Sequence, residues 1–225
     1  MKTESETLFE KLCSEKRIPF EPIPTEENLR TPDYRIWLNT TEIIVEVKQM
    51  ELNKDDLKFI ENVAKGIDVP NGFRGTGHIR IRNIIDDAYP QLKNFAKDLH
   101  PSIVVACDLT KGLSHLDNED ILNAMYGDEI VIISDTSKDS EEVSAANHKF
   151  GGNRKVTKRT KRSLSAVALL DFNESDEAVR MTVFHNIHAK IPLDPRGAWK
   201  IADQQFTLQY GSEFYQYWLE ITQHE

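Results

Sequence analysis

The sequence predicts an α/β fold, a central mixed β-sheet flanked by helices, and three observations carry that prediction. Amphipathic helical stretches alternate with strand-like ones through the first half of the chain. Ser102-Ile103-Val104-Val105-Ala106-Cys107 is an almost uninterrupted apolar run, the pattern of a strand buried on both faces. Two later apolar runs, Leu164 to Phe172 and Val179 to Phe184, are joined by the turn-forming Asn173-Glu174-Ser175-Asp176. They read as a C-terminal β-hairpin that extends the sheet.

Taken in order, residues 4–17 read as a helix with Leu8, Phe9, Leu12 and Cys13 on one face, ended by Ile18-Pro19-Phe20. A short strand and a polar loop follow over 20–30. Thr31 to Gln49 reads as a β-hairpin. With Thr40-Thr41 as its tip, Leu38 faces Ile43, Ile36 faces Val45 and Tyr34 faces Val47, apolar against apolar. Asn53 to about Lys65 is a second helix, with Leu57, Ile60, Val63 and Ala64 as its stripe and Gly66 as its stop. Pro70 to Gly77 is a loop. A helix then covers roughly 78–88; Pro90 is expected to kink or restart it, with continuation over 91–99. Residues 118–126 form a short helix and Glu129 to Ile133 another buried strand.

The segment 135–163 is polar and splits into an acidic and a basic part. The basic part holds Lys149, Arg154, Lys155, Lys158, Arg159, Lys161 and Arg162, with no acidic residue among them. Such a composition is expected to bury no core and to be mobile. The C-terminal part is rich in aromatics: Trp199, Phe206, Tyr210, Phe214, Tyr215, Tyr217 and Trp218. The whole is expected to be one domain over 1–225, with a core at about 4–134, a mobile loop at about 135–163 and a C-terminal extension at 164–225.

Length and composition fit that picture. The chain has 225 residues, 39% of them hydrophobic, enough for one sizeable core. Its 28 Lys and Arg against 37 Asp and Glu give a net charge of −9. That balance argues against a nonspecific nucleic-acid coat, so any phosphate-binding surface must be local. Cys13 and Cys107 lack metal-ligand spacing and read as core thiols. No signal peptide or transmembrane run stands out, so a cytoplasmic protein without membrane contact is expected.

The hairpin carries the chemistry. Side chains alternate along a strand, so Glu46 and Lys48 point the same way while Val45 and Val47 point into a core. The register above sets Asp33 opposite Lys48 and diagonal to Glu46. Two carboxylates and an ammonium then meet at one end of a rigid hairpin, where they can bind a divalent metal and position a water. An amphipathic hairpin with a surface Glu and Lys is the plainer alternative, but folding does not call for a Pro-Asp at that position.

Pro32-Asp33 and Glu46-Val47-Lys48 resemble the PD-(D/E)xK nuclease superfamily, which includes restriction enzymes and Holliday-junction resolvases. The resemblance implies a restriction-endonuclease-like αβββαβ core, matched in order through about residue 107. It implies Asp33 and Glu46 as ligands of Mg2+ or Mn2+, and Lys48 as the group that orients the attacking water. Such a core draws one more carboxylate from its first helix. Glu6 and Glu10 are the candidates. Glu6 is preferred, because at about 100° per residue it lies at the edge of the buried stripe. The carbonyl of Val47 is a further oxygen ligand. Some members place a Gln on a later helix near the metal, which makes Gln91, with Lys93, an auxiliary candidate. The resemblance implies a metal-dependent nuclease acting on DNA. The alternative is a catalytically inactive nuclease-like module that binds nucleic acid or a protein partner.

Two basic groups are candidates for gripping phosphates: Arg74, Arg80 and Arg82 beside the amides of Gly72, Gly75 and Gly77, and Arg154, Lys155, Lys158 and Arg159. His185 and His188 are three apart but do not read as helical, so a shared metal is not expected. The aromatic tail reads as core or interface ahead of base stacking, and leaves a homodimer open.

Overall fold

The computed structural model describes residues 2–25, 30–67, 77–110, 116–133, 146–150, 152–173, 175, 177–210 and 216–223, without the side chains of 55, 129–133, 146–150 and 216. Helix α1 (Glu4–Glu15) starts at a capping box. The Thr3 hydroxyl accepts from the Glu6 amide at 3.2 Å, and the Glu6 carboxylate accepts from the Thr3 amide. The helix buries Leu8, Phe9, Leu12 and Cys13, the stripe its periodicity predicts.

Strands β1 (Phe20–Pro22), β2 (Tyr34–Leu38) and β3 (Thr41–Met50) form an antiparallel meander. The β2–β3 register differs from expectation by two residues. Leu38 pairs with Thr41, Ile36 with Ile43 and Tyr34 with Val45. The tip is therefore Asn39-Thr40, and Asn39 takes φ 58°. Asparagine tolerates this left-handed conformation better than a threonine does, which favours the earlier turn.

Helices α2 (Lys54–Ala64) and α3 (Gly77–Ala96) precede β4 (Ser102–Asp108). α3 is one helix that continues through Pro90 without the restart that was one of the two expectations. Packing accounts for this: Ile84, Ile85 and Ala88 are buried before the proline, and Gln91, Leu92 and Ala96 after it. The helix α4 (Asn118–Tyr126) starts at an Asp117–Asp120 capping box. Strands β5 (Glu129–Ile133) and β6 (Ala146–Phe150) pair in a separate two-stranded sheet, so 129–133 is not a strand of the central sheet. The remaining elements are β7 (Ala166–Asn173), β8 (Ala178–His185), α5 (Pro195–Ala198), β9 (Gln204–Tyr210) and β10 (Gln216–Glu220).

The eight-stranded sheet has the order β1-β2-β3-β4-β7-β8-β9-β10. β3, β4 and β7 run parallel, β7 and β8 form the expected hairpin, and β9 lies parallel to β8. The sheet is thus mixed, with helices on both faces. One face, under α1, joins Phe9 and Leu12 to Ile36, Val45, Val47 and Val105. The other joins Ile81, Ile85 and Leu92 of α3 to Ile44, Val104 and Phe184. β3 and β4 are therefore covered on both sides, which is why Ile103 to Cys107 of β4 is continuously apolar and Ile43 to Val45 of β3 is too. The aromatic tail supplies β9 and β10, whose Phe206 and Trp218 stack within 5.4 and 5.1 Å of Phe184.

Part of the segment expected to bury nothing is packed. Val156 is 1% exposed, and the amides of Lys155 and Val156 both donate to the Met125 carbonyl, at 3.1 and 2.8 Å. A single valine among the basic residues anchors the stretch where composition gives no hint of it. Residues 134–145 lie outside the described residues. Among the described residues, no helix is long and apolar enough to cross a membrane.

Candidate active site

The site forms where the chain enters β2. The Asp33 amide donates to the Val45 carbonyl at 3.1 Å, and the Asp33 carboxylate accepts from the Val47 amide at 2.7 Å. These two contacts bracket Glu46, so Asp33 sits beside Glu46 and not opposite Lys48 as the expected register had it. A two-residue shift preserves which face each side chain points to, so the three groups still meet, although their partners change. Lys48 Nζ lies 2.7 Å from Glu46 Oε1.

Glu46 is 2% exposed under α3. Burial and the Asp33 charge push its pKa up to about 7, against the pull of Lys48. Burial also raises the Asp33 pKa, opposed by the Val47 amide and reinforced by the Glu6 charge. The two carboxyl groups act directly on each other, and the Asp33 charge helps raise the Glu46 pKa. Gln91, buried on α3, sets its side-chain amide against Glu46; with the nitrogen assigned to the inner position it donates to both Glu46 oxygens, at 2.8 and 2.5 Å. That donor pair favours the ionised form of Glu46.

The α1 carboxylates reach the same region from the other side. Glu6, Glu10, Asp33, Tyr34 and Lys2 line a cleft of about 290 Å3. Glu6 is held in the capping box, while Glu10 accepts from the Tyr34 hydroxyl at 2.9 Å and pairs with Lys2. Tyr34 and Lys2 were not singled out by sequence reasoning. The tyrosine following Asp33 was visible, but a side chain that alternates onto the α1 face gave no reason to link it to Glu10.

Other candidates fall elsewhere. Lys93 is exposed and its charge acts on Asp98, not on Glu46. Val47 contributes its amide to the site. Arg80 pairs with Asp56 at 3.3 Å and donates to the Glu51 carbonyl. Arg82, 6% exposed, binds the Asn123 carbonyl at 2.7 Å and Asp128. Both arginines fasten α3 to its neighbours instead of facing outward, and Arg74, Gly72 and Gly75 lie outside the described residues. Lys155 and Lys161 bind Asp86, whose pKa is held down by them. Arg154, Lys158 and Arg159 line a second cavity, with Tyr126, His188 and Tyr210. His185 is buried against Gln205, 2.8 Å away, and burial lowers its pKa.

Two neighbouring carboxylates, Glu46 buried and Asp33 half-buried, both of raised proton affinity, suit a hard divalent cation. Among the described residues, no three His, Cys, Asp or Glu side chains are gathered closely enough to hold a metal. Two carboxylates are nevertheless enough for Mg2+, which keeps several waters and takes oxygens from a bound phosphate. The chain matches no protein-family model, no curated protein and no solved structure.

Proposed function

We propose that the chain is a divalent-metal-dependent nuclease that hydrolyses phosphodiester bonds in DNA, with Asp33, Glu46 and Lys48 as its site. The observation that carries this reading is the pairing of buried Glu46 with half-buried Asp33, both of raised pKa, with Lys48 against Glu46. The order α1, β1–β3, α2, α3, β4, with β4 parallel to β3, supports it as the layout of a restriction-endonuclease-like core with one added helix. Asp33 and Glu46 would hold Mg2+ or Mn2+, with Glu6, whose charge acts on Asp33, as the further carboxylate. A cation there supplies Lewis acidity, polarising a phosphoryl oxygen and acidifying a water. Val47 fixes the Asp33 carboxylate through its amide. Gln91 holds Glu46 in one orientation and helps keep it ionised. Lys48, 30% exposed against 2% for Glu46, is the member that reaches toward solvent. Its ammonium orients the attacking water and stabilises charge building on the phosphoryl oxygens.

A second reading is an inactive nuclease-like module that binds nucleic acid or a protein, and the absence of a gathered third carboxylate among the described residues favours it. Incubating end-labelled single-stranded, duplex and branched DNA with the protein, in Mn2+ or in EDTA, separates the two. Cleavage in Mn2+ is expected, abolished by EDTA and by Asp33→Asn, and reduced about 100-fold or more in Lys48→Ala. Undiminished cleavage by Asp33→Asn would remove the assignment of this site. No cleavage of any form would leave the binding module.

A further inference from the structure

We infer that the cavity walled by Tyr126, His188 and Tyr210 and rimmed by Arg154, Lys158 and Arg159 takes one unpaired nucleotide of a single-stranded nucleic acid. The inference rests on the phosphodiester reading and names the form of its substrate. The cavity holds about 290 Å3, the same as the cleft beside Asp33. Its wall is fixed in place. The Tyr126 hydroxyl donates to the His185 carbonyl at 3.1 Å and accepts from the Ile187 amide at 3.3 Å. The His188 ring stands edge-on to Tyr126 at 6.1 Å, and its carbonyl accepts from Arg162 Nε at 3.2 Å. Tyr210 closes the cavity and is 54% exposed, a large aromatic surface left in water.

Charge points to an anion. In a chain of net charge −9, residues 152–162 carry six cationic side chains and no carboxylate. Asp86 takes up Lys155 and Lys161, while Arg154, Lys158 and Arg159 line the cavity. Burial, with the charges of Lys158 and Arg162, holds the His188 pKa below its ordinary value, so its ring is a neutral aromatic face beside cations. An acidic peptide satisfies the cations alone. A nucleotide satisfies both features, its base stacking on the exposed Tyr210 ring and its phosphate meeting the cations. A paired base keeps its face inside the duplex, so the cavity selects an unpaired one.

Placement links the cavity to the site. Glu46, Val104, Val167, Phe184 and Phe206 form one row across five strands. Tyr210 alternates with Phe206 and Leu208 onto the α3–α4 face, where Glu46 also points. Four strand steps of about 4.8 Å separate β3 from β9, so the two lie on the order of 20 Å apart on one face.

The test measures binding of a labelled twelve-nucleotide single strand, and of its blunt duplex, to the full-length Asp33→Asn protein in EDTA by fluorescence anisotropy. Tighter binding of the single strand is expected. Tyr210→Ala should weaken it by roughly 5- to 150-fold, and Tyr210→Phe should retain it. Lys158→Gln with Arg159→Gln should lower the salt slope by about 1.4, at about 0.7 per phosphate on a single strand. Equal affinity for both forms, an unchanged Tyr210→Ala protein, or equally strong competition by polyglutamate would each overturn the inference. Cleavage by the unsubstituted protein in Mn2+ is scored separately. Duplex cleavage indifferent to Tyr210→Ala ends this inference and spares the nuclease reading. Single-strand binding without cleavage does the reverse.

Discussion

Glu46 decides how the site behaves before any ligand arrives. Its carboxyl group holds a proton more tightly in the folded chain, at about 7, than its ordinary value of 4.5. A raised pKa of this kind contributes stability that is fully present below 4.5 and lost as pH rises through about 7. The Asp33 shift acts in the same direction. Thermal unfolding in EDTA is therefore expected to show stability falling from pH 4.5 toward pH 7 and levelling above it. Glu46→Gln, which keeps a donor for Asp33 and loses the charge, should flatten that fall and raise Tm at pH 8. A pH dependence unaltered by this substitution would contradict the account of the pair. Sequence reasoning found Asp33, Glu46 and Lys48 because short motifs survive without tertiary knowledge. It misplaced the partner of Asp33 because Asn39 and Thr40 are both acceptable turn residues, and only the φ of 58° at Asn39 distinguishes them. Gln91 was legible only through resemblance, since its link to Glu46 crosses 45 positions of chain, from β3 to α3.

Among the elements, α1 ties the cap of a helix to the site. Glu6 closes the capping box and its charge also raises the Asp33 pKa. The two roles separate experimentally because glutamine also serves in a capping box. Glu6→Gln is expected to leave stability within about 0.5 kcal/mol, as for an exposed substitution, and to weaken Mn2+ binding about tenfold. Glu10→Gln should change metal binding little, since Glu10 faces Tyr34 and Lys2. Equal metal affinity in the two variants and in the parent chain would show that α1 gives no ligand. Helices α1, α2 and α4 were legible in the sequence, but the stripe expected to be the apolar face of α2 stays largely in water, with Leu57 and Val63 exposed. The continuity of α3 through Pro90 was not legible, because burial on both sides of the proline outweighs its local preference. β9 and β10 were hidden in an aromatic-rich stretch, where their rings read equally as core or as interface.

For the molecule as a whole, the sheet divides two cores that must form together. Cys13 and Cys107 both lie in the core under α1, and burial pushes each thiol up to about 12. Neither should react with a disulfide reagent at pH 8 in the native state, and both should appear together as urea unfolds the chain. A thiol that reacts rapidly in the native protein would contradict the packing of α1 on β3. The overall acidity was legible from composition. Which cations remain outward was not legible. Asp86, far away in sequence, takes up Lys155 and Lys161, and Arg80 and Arg82 turn inward to Asp56 and Asp128.

The central claim is that Asp33 and Glu46 act together as a divalent-cation site. It is tested most directly by titrating the full-length protein with Mn2+ at pH 8, where Glu46 is ionised, and following binding by calorimetry. The account predicts saturable binding that is weakened by tenfold or more in Asp33→Asn and in Glu46→Gln, with the folded state intact in both. Binding of equal strength in the parent chain and in both variants, or no binding at all, would contradict it.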